Sequence, residues 1–363
     1  MAATSIDIPT LRKAIVQDEH GKGMVSDIPI PELPHGMVLV QTKAVAINPV
    51  DYKMGAAFPA QGTVVGSDFA GTIVAIADGT ETDLSLGDLV CGVSNGSNPA
   101  APSNGGFATY LRTYPSLLIR MDPTADDLAI EQVTGLGLAL STCTLAFWDA
   151  DALDLPGTPD EPFKTKIPIL VYGGSTATGT IAIQLLKLSG FEPIATCSPR
   201  NFDLVRGCGA SAVFDYVDPD TPAAIKQHTG GRLKYVLDCI SDAHSVDVCF
   251  AAIARTGGRY ASLELVPDDL LARRRAVKPS FVMAYEISGE GTPFPGGYGK
   301  PPAPRKKELC GRFFLVYTRL LSQGKLRMYR KKRLRDGFEG ILEGLAALQD
   351  GSMMVSKMVV FLS

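Results

Sequence analysis

The chain has 363 residues, 45% hydrophobic and 20% charged, with a formal net charge of −3. That length suits one large domain or two ordinary ones, and the charge balance gives no general pull toward nucleic acid or anionic membrane. Its seven cysteines, Cys91, Cys143, Cys197, Cys208, Cys239, Cys249 and Cys310, are scattered with no C-x-x-C pair; neither a disulfide framework nor a structural zinc cluster is expected.

In chain order, residues 13–17, 37–46, 63–77 and 107–113 carry Val, Ile, Thr and aromatic residues between Gly, Pro and Asp breaks, which predicts strands. Leu86-Gly87-Asp88 and Asn104-Gly105-Gly106 predict turns. One helix is expected over 126–151, weakened by Gly135 and Gly137, followed by a surface connection over the Pro-, Asp- and Gly-rich residues 154–166. Beyond it, strands at 167–172, 193–197, 212–214, 235–239 and 258–263 alternate with helices at 178–189, 202–208, 222–228 and 245–253. That alternation predicts a doubly wound parallel sheet. The tail predicts helices at 306–323 and 337–349 and a final strand at 357–362. Residues 1–10 lack the basic and apolar regions of a signal peptide. No stretch reads as an unbroken membrane span, since even 181–188 is interrupted by Gln184 and Lys187. A cytosolic location is the expectation.

The sequence Val171-Tyr172-Gly173-Gly174-Ser175-Thr176-Ala177-Thr178-Gly179-Thr180 lies between a predicted strand and helix, where backbone amides at a helix N-terminus hold a pyrophosphate. The glycine string is imperfect, with Thr176 and Ala177 where related loops have Gly. A tight turn without a ligand is the alternative; the strand, loop, helix and second strand together favour cofactor binding. Ser175, Thr176 and Thr178 offer hydroxyl donors. At the end of the second strand an NAD site carries Asp or Glu, but Ala195-Thr196-Cys197-Ser198-Pro199-Arg200-Asn201 has no carboxylate. Ser198 and Arg200 suit a 2′-phosphate instead, which points to NADPH.

Together with that loop, Ala46-Ile47-Asn48-Pro49-Val50-Asp51-Tyr52-Lys53 and Gly66-Ser67-Asp68-Phe69-Ala70-Gly71 resemble the medium-chain dehydrogenase/reductases. The resemblance implies an α/β fold: a GroES-like, β-rich catalytic domain (1–155 and 290–363) with an inserted Rossmann doubly wound parallel-sheet domain (156–289). Zinc-dependent alcohol dehydrogenases of this superfamily have a Cys ligand near position 48 and Gly-His-Glu at 66–68. Here Asn48 and Ser67-Asp68 stand there, so a zinc-free branch is implied, with no Lewis-acid metal. A closer likeness, through Tyr172–Thr178, 194–204, Phe214-Asp215-Tyr216, Leu237-Asp238-Cys239-Ile240, Gly289-Glu290-Gly291 and Tyr298-Gly299-Lys300-Pro301, is to the fungal trans-acting enoyl reductases of highly reducing polyketide synthases, the lovastatin type.

This resemblance implies hydride transfer from NADPH to the β-carbon of an α,β-unsaturated polyketide thioester on the acyl carrier domain of an iterative polyketide synthase, or of a synthase–peptide synthetase hybrid, in secondary-metabolite biosynthesis. It also implies a monomer. Lys53 is the expected stabiliser of the enolate oxygen, against a solvated loop lysine or a ribose contact; Tyr52 is a proton donor or a packing aromatic. NADPH contacts are expected from Val50, Asp51, Tyr52, Lys53, Ser175, Thr176, Ala177, Thr178, Ser198, Pro199, Arg200, Asn201, Tyr216, Ser262, Leu263, Lys357 and Met358. The substrate tunnel is expected along Leu140, Ser141, Thr142, Cys143, Thr144, Leu145, Ala146 and Phe147, and along Ala284, Tyr285, Glu286, Ile287 and Ser288; ordinary helix packing is the alternative for Leu145 and Phe147. The basic run Arg327, Arg330, Lys331, Lys332, Arg333 and Arg335 is either a solvated face or a docking surface for an acidic carrier domain. A free-standing alkenal or quinone reductase and a non-catalytic NADPH-binding protein are the competing functions.

Overall fold

The computed structural model describes residues 8–352 and 357–362, in two compact units. The first comprises Met1–Leu138, Gly291–Phe294 and Tyr317–Ser363; the second comprises Ala139–Glu290 and Pro295–Val316.

The first unit begins with an antiparallel pair, β1 (Leu11–Gln17) and β2 (Gly23–Pro29). Then come β3 (Val38–Ile47), α1 (Pro49–Ala57), β4 (Asp68–Ile76), β5 (Leu89–Val93), β6 (Tyr110–Thr113), β7 (Leu118–Arg120) and α2 (Asp127–Val133). β3 exposes only Gln41 and Lys43, as suits a strand covered on both sides. Its Val40 and Val45 meet Phe69, Ile73, Val90 and Leu111 in the core. The segment expected as one helix is two, α2 and α3 (Gly137–Trp148). The break has a steric cause. A Cβ on Gly137 would lie 2.3 Å from the Gly92 carbonyl oxygen, and one on Gly135 would lie 2.5 Å from the Lys357 side chain. By length and composition alone Asp127–Trp148 would pass for a membrane span, but about two thirds of its most apolar window is buried inside the fold, as in a core helix.

The second unit takes most of α3 and continues with β8 (Pro168–Tyr172), α4 (Ala177–Leu188), β9 (Glu192–Cys197), α5 (Phe202–Gly207) and β10 (Ala212–Asp215). It then runs through α6 (Thr221–His228), β11 (Tyr235–Asp238), α7 (Ala243–Ala252), β12 (Gly258–Ser262), α8 (Asp268–Leu271), β13 (Val277–Phe281) and the start of α9 (Pro304–Ser322). All six strands are parallel, in the order β10-β9-β8-β11-β12-β13. The chain steps outward from β8 to β10, then returns to β11, so the direction switches between β8 and β11. In such sheets ligands bind outside the carboxyl ends of the strands at that switch. The sequence pattern missed β13 because Lys278 and Pro279 interrupt it; an edge strand tolerates both.

The chain then completes the first unit with β14 (Lys331–Arg333), α10 (Phe338–Gln349) and β15 (Lys357–Phe361). β15 is buried throughout and lies antiparallel to β3, with Met358 opposite Ile47. The sheet order is β14-β15-β3-β4-β5-β7, with β6 also on β3. Much of the basic run is tied to its own unit. Arg333 pairs with Asp127 and Asp336 and covers the Phe361 ring, Arg335 pairs with Glu343, and Arg327 stacks on Tyr329.

The division differs from the boundaries expected at 155 and 290. Residues 139–155 belong to the second unit, as do 295–316. The packing explains why: Arg259 donates to the carbonyls of Ala150 and Ala152, Trp148 stacks on Phe313, and Arg305 and Lys306 pair with Asp149.

Candidate functional site

In the second unit, the carboxyl ends of β8, β9, β10 and β12 bring Ser175–Thr178, Ser198–Asn201, Tyr216 and Ser262–Leu263 to one edge of the sheet. After β8, Gly173 turns with φ 78°, and Gly174 N–H donates to the Thr196 carbonyl at 2.9 Å. A Cβ on Gly179 would sit 2.4 Å from the Gly173 oxygen, and one on Gly174 would sit 2.7 Å from Ala195 Cβ. These two glycines therefore let the loop close on the strand. Thr176 caps α4, its Oγ1 accepting from the Gly179 N–H at 2.9 Å, while Ser175, Thr176 and Thr178 stay half-buried and Ala177 exposed. The helix N-terminus is thus left open to an anion. Asn201 Nδ2 donates to Ser175 Oγ at 3.2 Å, tying the end of β9 to the phosphate loop, and Arg200 beside it is exposed. These residues fit a dinucleotide.

The floor of this crevice holds a group that sequence reasoning missed. Asp238, fully buried at the end of β11, accepts from the Ile240 and Ser241 N–H groups, Ser245 Oγ and Tyr260 Oη at 2.6–2.9 Å. Burial pushes its carboxyl up in spite of these four donors. Asp238 thereby holds Ser241 at φ 64°, and Ser241 Oγ in turn accepts from the Leu263 N–H at 3.0 Å. The Asp-Cys-Ile-Ser string gave no sign of this, because the fourth donor lies on β12.

The expected substrate positions are mostly interior. Leu140 to Phe147 are all buried, and Phe147 packs edge-on against Trp148. Of residues 284–288, a short 3-10 helix, Tyr285, Glu286 and Ile287 are buried, and Glu286 is paired with Lys306.

In the first unit, Lys53 is exposed on α1 with Tyr52 half-buried beside it. Beneath lies a buried polar cluster. Asp51 Oδ2 accepts from the Asn48 N–H and its Oδ1 from Ser67 Oγ, both at 2.7 Å. Asp68 Oδ2 accepts from Asn48 Nδ2 at 2.9 Å and from Lys357 Nζ at 2.7 Å; its Oδ1 accepts from the Leu138 N–H at 2.6 Å. Lys357 Nζ also donates to Asn48 Oδ1. Asp68 is fully buried and the Lys357 side chain 3% exposed. Burial pushes the Asp51 carboxyl up to about 7; the Ser67 hydroxyl, the Asn48 N–H and the Lys357 charge oppose the rise, and Asp68 adds to it. Two expected cofactor contacts, Asp51 and Lys357, thus have their polar atoms engaged inside the unit, and Met358 is buried in β15.

Positions 48, 67 and 68 are where the zinc-dependent relatives carry ligands. An amide, a hydroxyl and a single carboxylate, with an ammonium already on the amide and carboxylate oxygens, do not fit zinc, which takes thiolate, imidazole and carboxylate donors. Among the described residues no group of three His, Cys, Asp or Glu is placed to hold a metal ion.

Residues 34–123 match the family described as "Alcohol dehydrogenase GroES-like domain", and residues 177–294 the family "Zinc-binding dehydrogenase". The chain belongs to the medium-chain dehydrogenase/reductases, nicotinamide-dependent oxidoreductases, and within them to the fungal trans-enoyl reductases. It is 47% identical to the trans-enoyl reductase TwmE of Talaromyces wortmannii, covering 96% of this chain and 97% of that one. It is 42% identical to the trans-enoyl reductase FSL5 of Gibberella zeae, covering 97% and 98%. Among solved structures the fold is similar to that of the CurK enoyl reductase, with TM-score 0.73 at 17% identity over 97% of this chain and 99% of that one.

Proposed function

We propose that the chain is an NADPH-dependent, trans-acting enoyl reductase that reduces the α,β-unsaturated thioester of a polyketide carried on the acyl carrier domain of an iterative polyketide synthase. The observation that carries this reading is an open helix N-terminus with a phosphate-type loop tied to the end of β9, in a chain whose Asn48, Asp68 and Lys357 form a closed ion-pair cluster where zinc-dependent relatives place their metal. Such a chain has hydride chemistry without a Lewis acid. Ser198 and Arg200, in a loop without a carboxylate, support NADPH over NADH by offering a hydroxyl and a cation to the 2′-phosphate.

Bound nicotinamide supplies the hydride for the β-carbon. The protein must then stabilise charge on the thioester oxygen and allow a proton to reach the α-carbon. Lys53 is the group proposed for the first task, because α1 presents it outward from a rigid, buried base. For the second, Tyr52 or solvent supplies the proton. Val50 and Tyr52 are proposed to contact the cofactor from the same turn. Ala284 and Ser288, the half-buried members of their short helix, are proposed to border the acyl chain.

The test is single-turnover oxidation of NADPH with an enoyl thioester on a carrier domain, run beside small diffusible enones and quinones. A kcat/KM at least tenfold higher on the carrier-bound chain, about 1.4 kcal/mol, is expected. Equal efficiency on free enones would mark a free-standing reductase, and NADPH binding without turnover on any acceptor would mark a non-catalytic protein.

A further inference from the structure

The buried cluster under α1 is costly in isolation. Two carboxylates and an ammonium are withdrawn from water, and a buried pair is stabilising only when its geometry and remaining hydrogen bonds are good. Here one of the carboxylates and the ammonium are closed into a ring with an amide. The Asn48 amide donates to Asp68 and accepts from Lys357, and Lys357 donates to Asp68, so each of the three groups contacts the other two. Asp68 uses its other oxygen on the Leu138 N–H, and Asn48 uses its backbone N–H on Asp51 in the first turn of α1. The ring thus joins β15, the β3–α1 junction, the start of β4 and the start of α3. Asn48 links the ring to α1, its side chain in the ring and its backbone N–H on Asp51 of the helix. Lys53 lies two residues beyond Asp51 on the same turn.

We propose that Lys357 is a positioning residue for catalysis: its ammonium, locked to Asp68 and Asn48, supplies at this place the fixed positive charge that a metal supplies in zinc-dependent relatives, and it holds the first turn of α1 so that Lys53 is presented in one orientation. It does not touch the cofactor. The consequence for turnover rests on the role given to Lys53 above; the holding of α1 does not. A catalytic group displaced by even a small amount loses much of its effect, so the expected signature is a loss in kcat with little change in binding.

Lys357→Met alone leaves the buried Asp68 carboxyl without its counter-ion and is expected to unfold readily. The informative variant is therefore the double substitution Asp68→Asn with Lys357→Met, which removes both charges and nearly preserves volume. Asn48→Ala, which spares the ion pair and cuts its link to α1, is the second arm. Amide hydrogen exchange over residues 50–54, read by mass spectrometry in the whole chain, is expected to speed up at least about tenfold in both variants, the scale of a modest local loosening. In the double variant kcat on the carrier-bound enoyl thioester is expected to fall about tenfold, while the Kd for NADPH stays within about twofold. Exchange at 50–54 unchanged from the parent overturns the proposal whatever the turnover. A loss of NADPH affinity equal to the loss in kcat overturns it too, and makes Lys357 a cofactor contact. If the parent chain reduces no enoyl thioester, the functional reading fails, and the exchange measurement still decides whether Lys357 holds α1.

Discussion

At the start of α4 the stabilising contacts are neutral and come from the loop itself and the next strand: Thr176 caps Gly179, and Gly173 and Gly174 lean on Thr196 of the adjoining strand. At the start of α1 they are charged and remote, with Asp51 closing the first turn and Ser67, Asp68 and Lys357 converging beneath it from β4, the residue before it, and β15. A helix N-terminus attracts negative charge. α4 leaves its terminus open, so an anion from outside can use it. α1 fills its own with Asp51, so it can bind no phosphate and serves instead to present side chains. One terminus is built to receive a ligand and the other to aim a residue.

On that division, substitutions at the two places separate binding from turnover. The largest effect is expected at Lys53. Lys53→Ala should lower turnover about 100-fold, the scale of one lost oxyanion stabiliser, with NADPH affinity changed far less. Lys53→Met should match it, since the stem remains and only the charge is gone. Fluorescence titration beside single-turnover kinetics checks both, and a parallel loss of affinity would erase the contrast between α1 and α4.

On the α4 side, Arg200→Asp should abolish or reverse a preference for NADPH over NADH of about tenfold, roughly 1.4 kcal/mol, while leaving kcat at saturating cofactor largely intact. Equal affinity of the parent for the two cofactors would remove the role given to Ser198 and Arg200.

A smaller effect is expected from pH. The Asp51 carboxyl in the folded chain is pushed up to about 7 by burial, so the folded state holds its proton more tightly than the unfolded state. Its contribution to stability is full below about pH 4 and is lost as pH rises through about 7. The groups facing it are Ser67 and Asp68 from the β4 side, Lys357 from β15 and the Asn48 N–H. Thermal unfolding should shift down by a few degrees between about pH 5 and about pH 8, and Asp51→Asn should flatten that slope. A slope unchanged by Asp51→Asn assigns the titration elsewhere.

The smallest expected effect is none. Chelators should leave both NADPH oxidation and the melting temperature unchanged, because the ammonium of Lys357 already occupies the donors at positions 48 and 68. Activity lost to a chelator and restored by zinc would overturn that reading of the cluster.

The parallel-sheet unit was legible because its signals are local. A short apolar run, a glycine turn and a helix of period 3.6 lie within about twenty residues of one another around Gly173. Even there Asp238 was missed, since its role depends on Tyr260 one strand away. In the first unit α1 at Pro49–Ala57 went unpredicted, because Gly55 and the scarcity of apolar residues hide a helix whose support comes from elsewhere. The long helix over 126–151 was over-read: nothing local shows that Gly92 and Lys357 crowd Gly135 and Gly137. Lys357 itself read as a cofactor contact, because no local pattern links it to Asp68, 289 residues earlier.

That separation has a consequence for how the protein is made. At the usual 5–20 residues per second, Asp68 is synthesised roughly 15–60 s before its counter-ion. Throughout that interval the emerging β3–β4 sheet carries a carboxylate that cannot be buried at low cost, and its β3 edge waits for β15. The parallel-sheet unit, whose last segment ends at Val316, is synthesised before β15 and is free to fold first. The nascent β3–β4 sheet therefore stays incomplete until β15 is made, and a chain truncated before Lys357 would lose an inner strand of that sheet and a buried charge partner together.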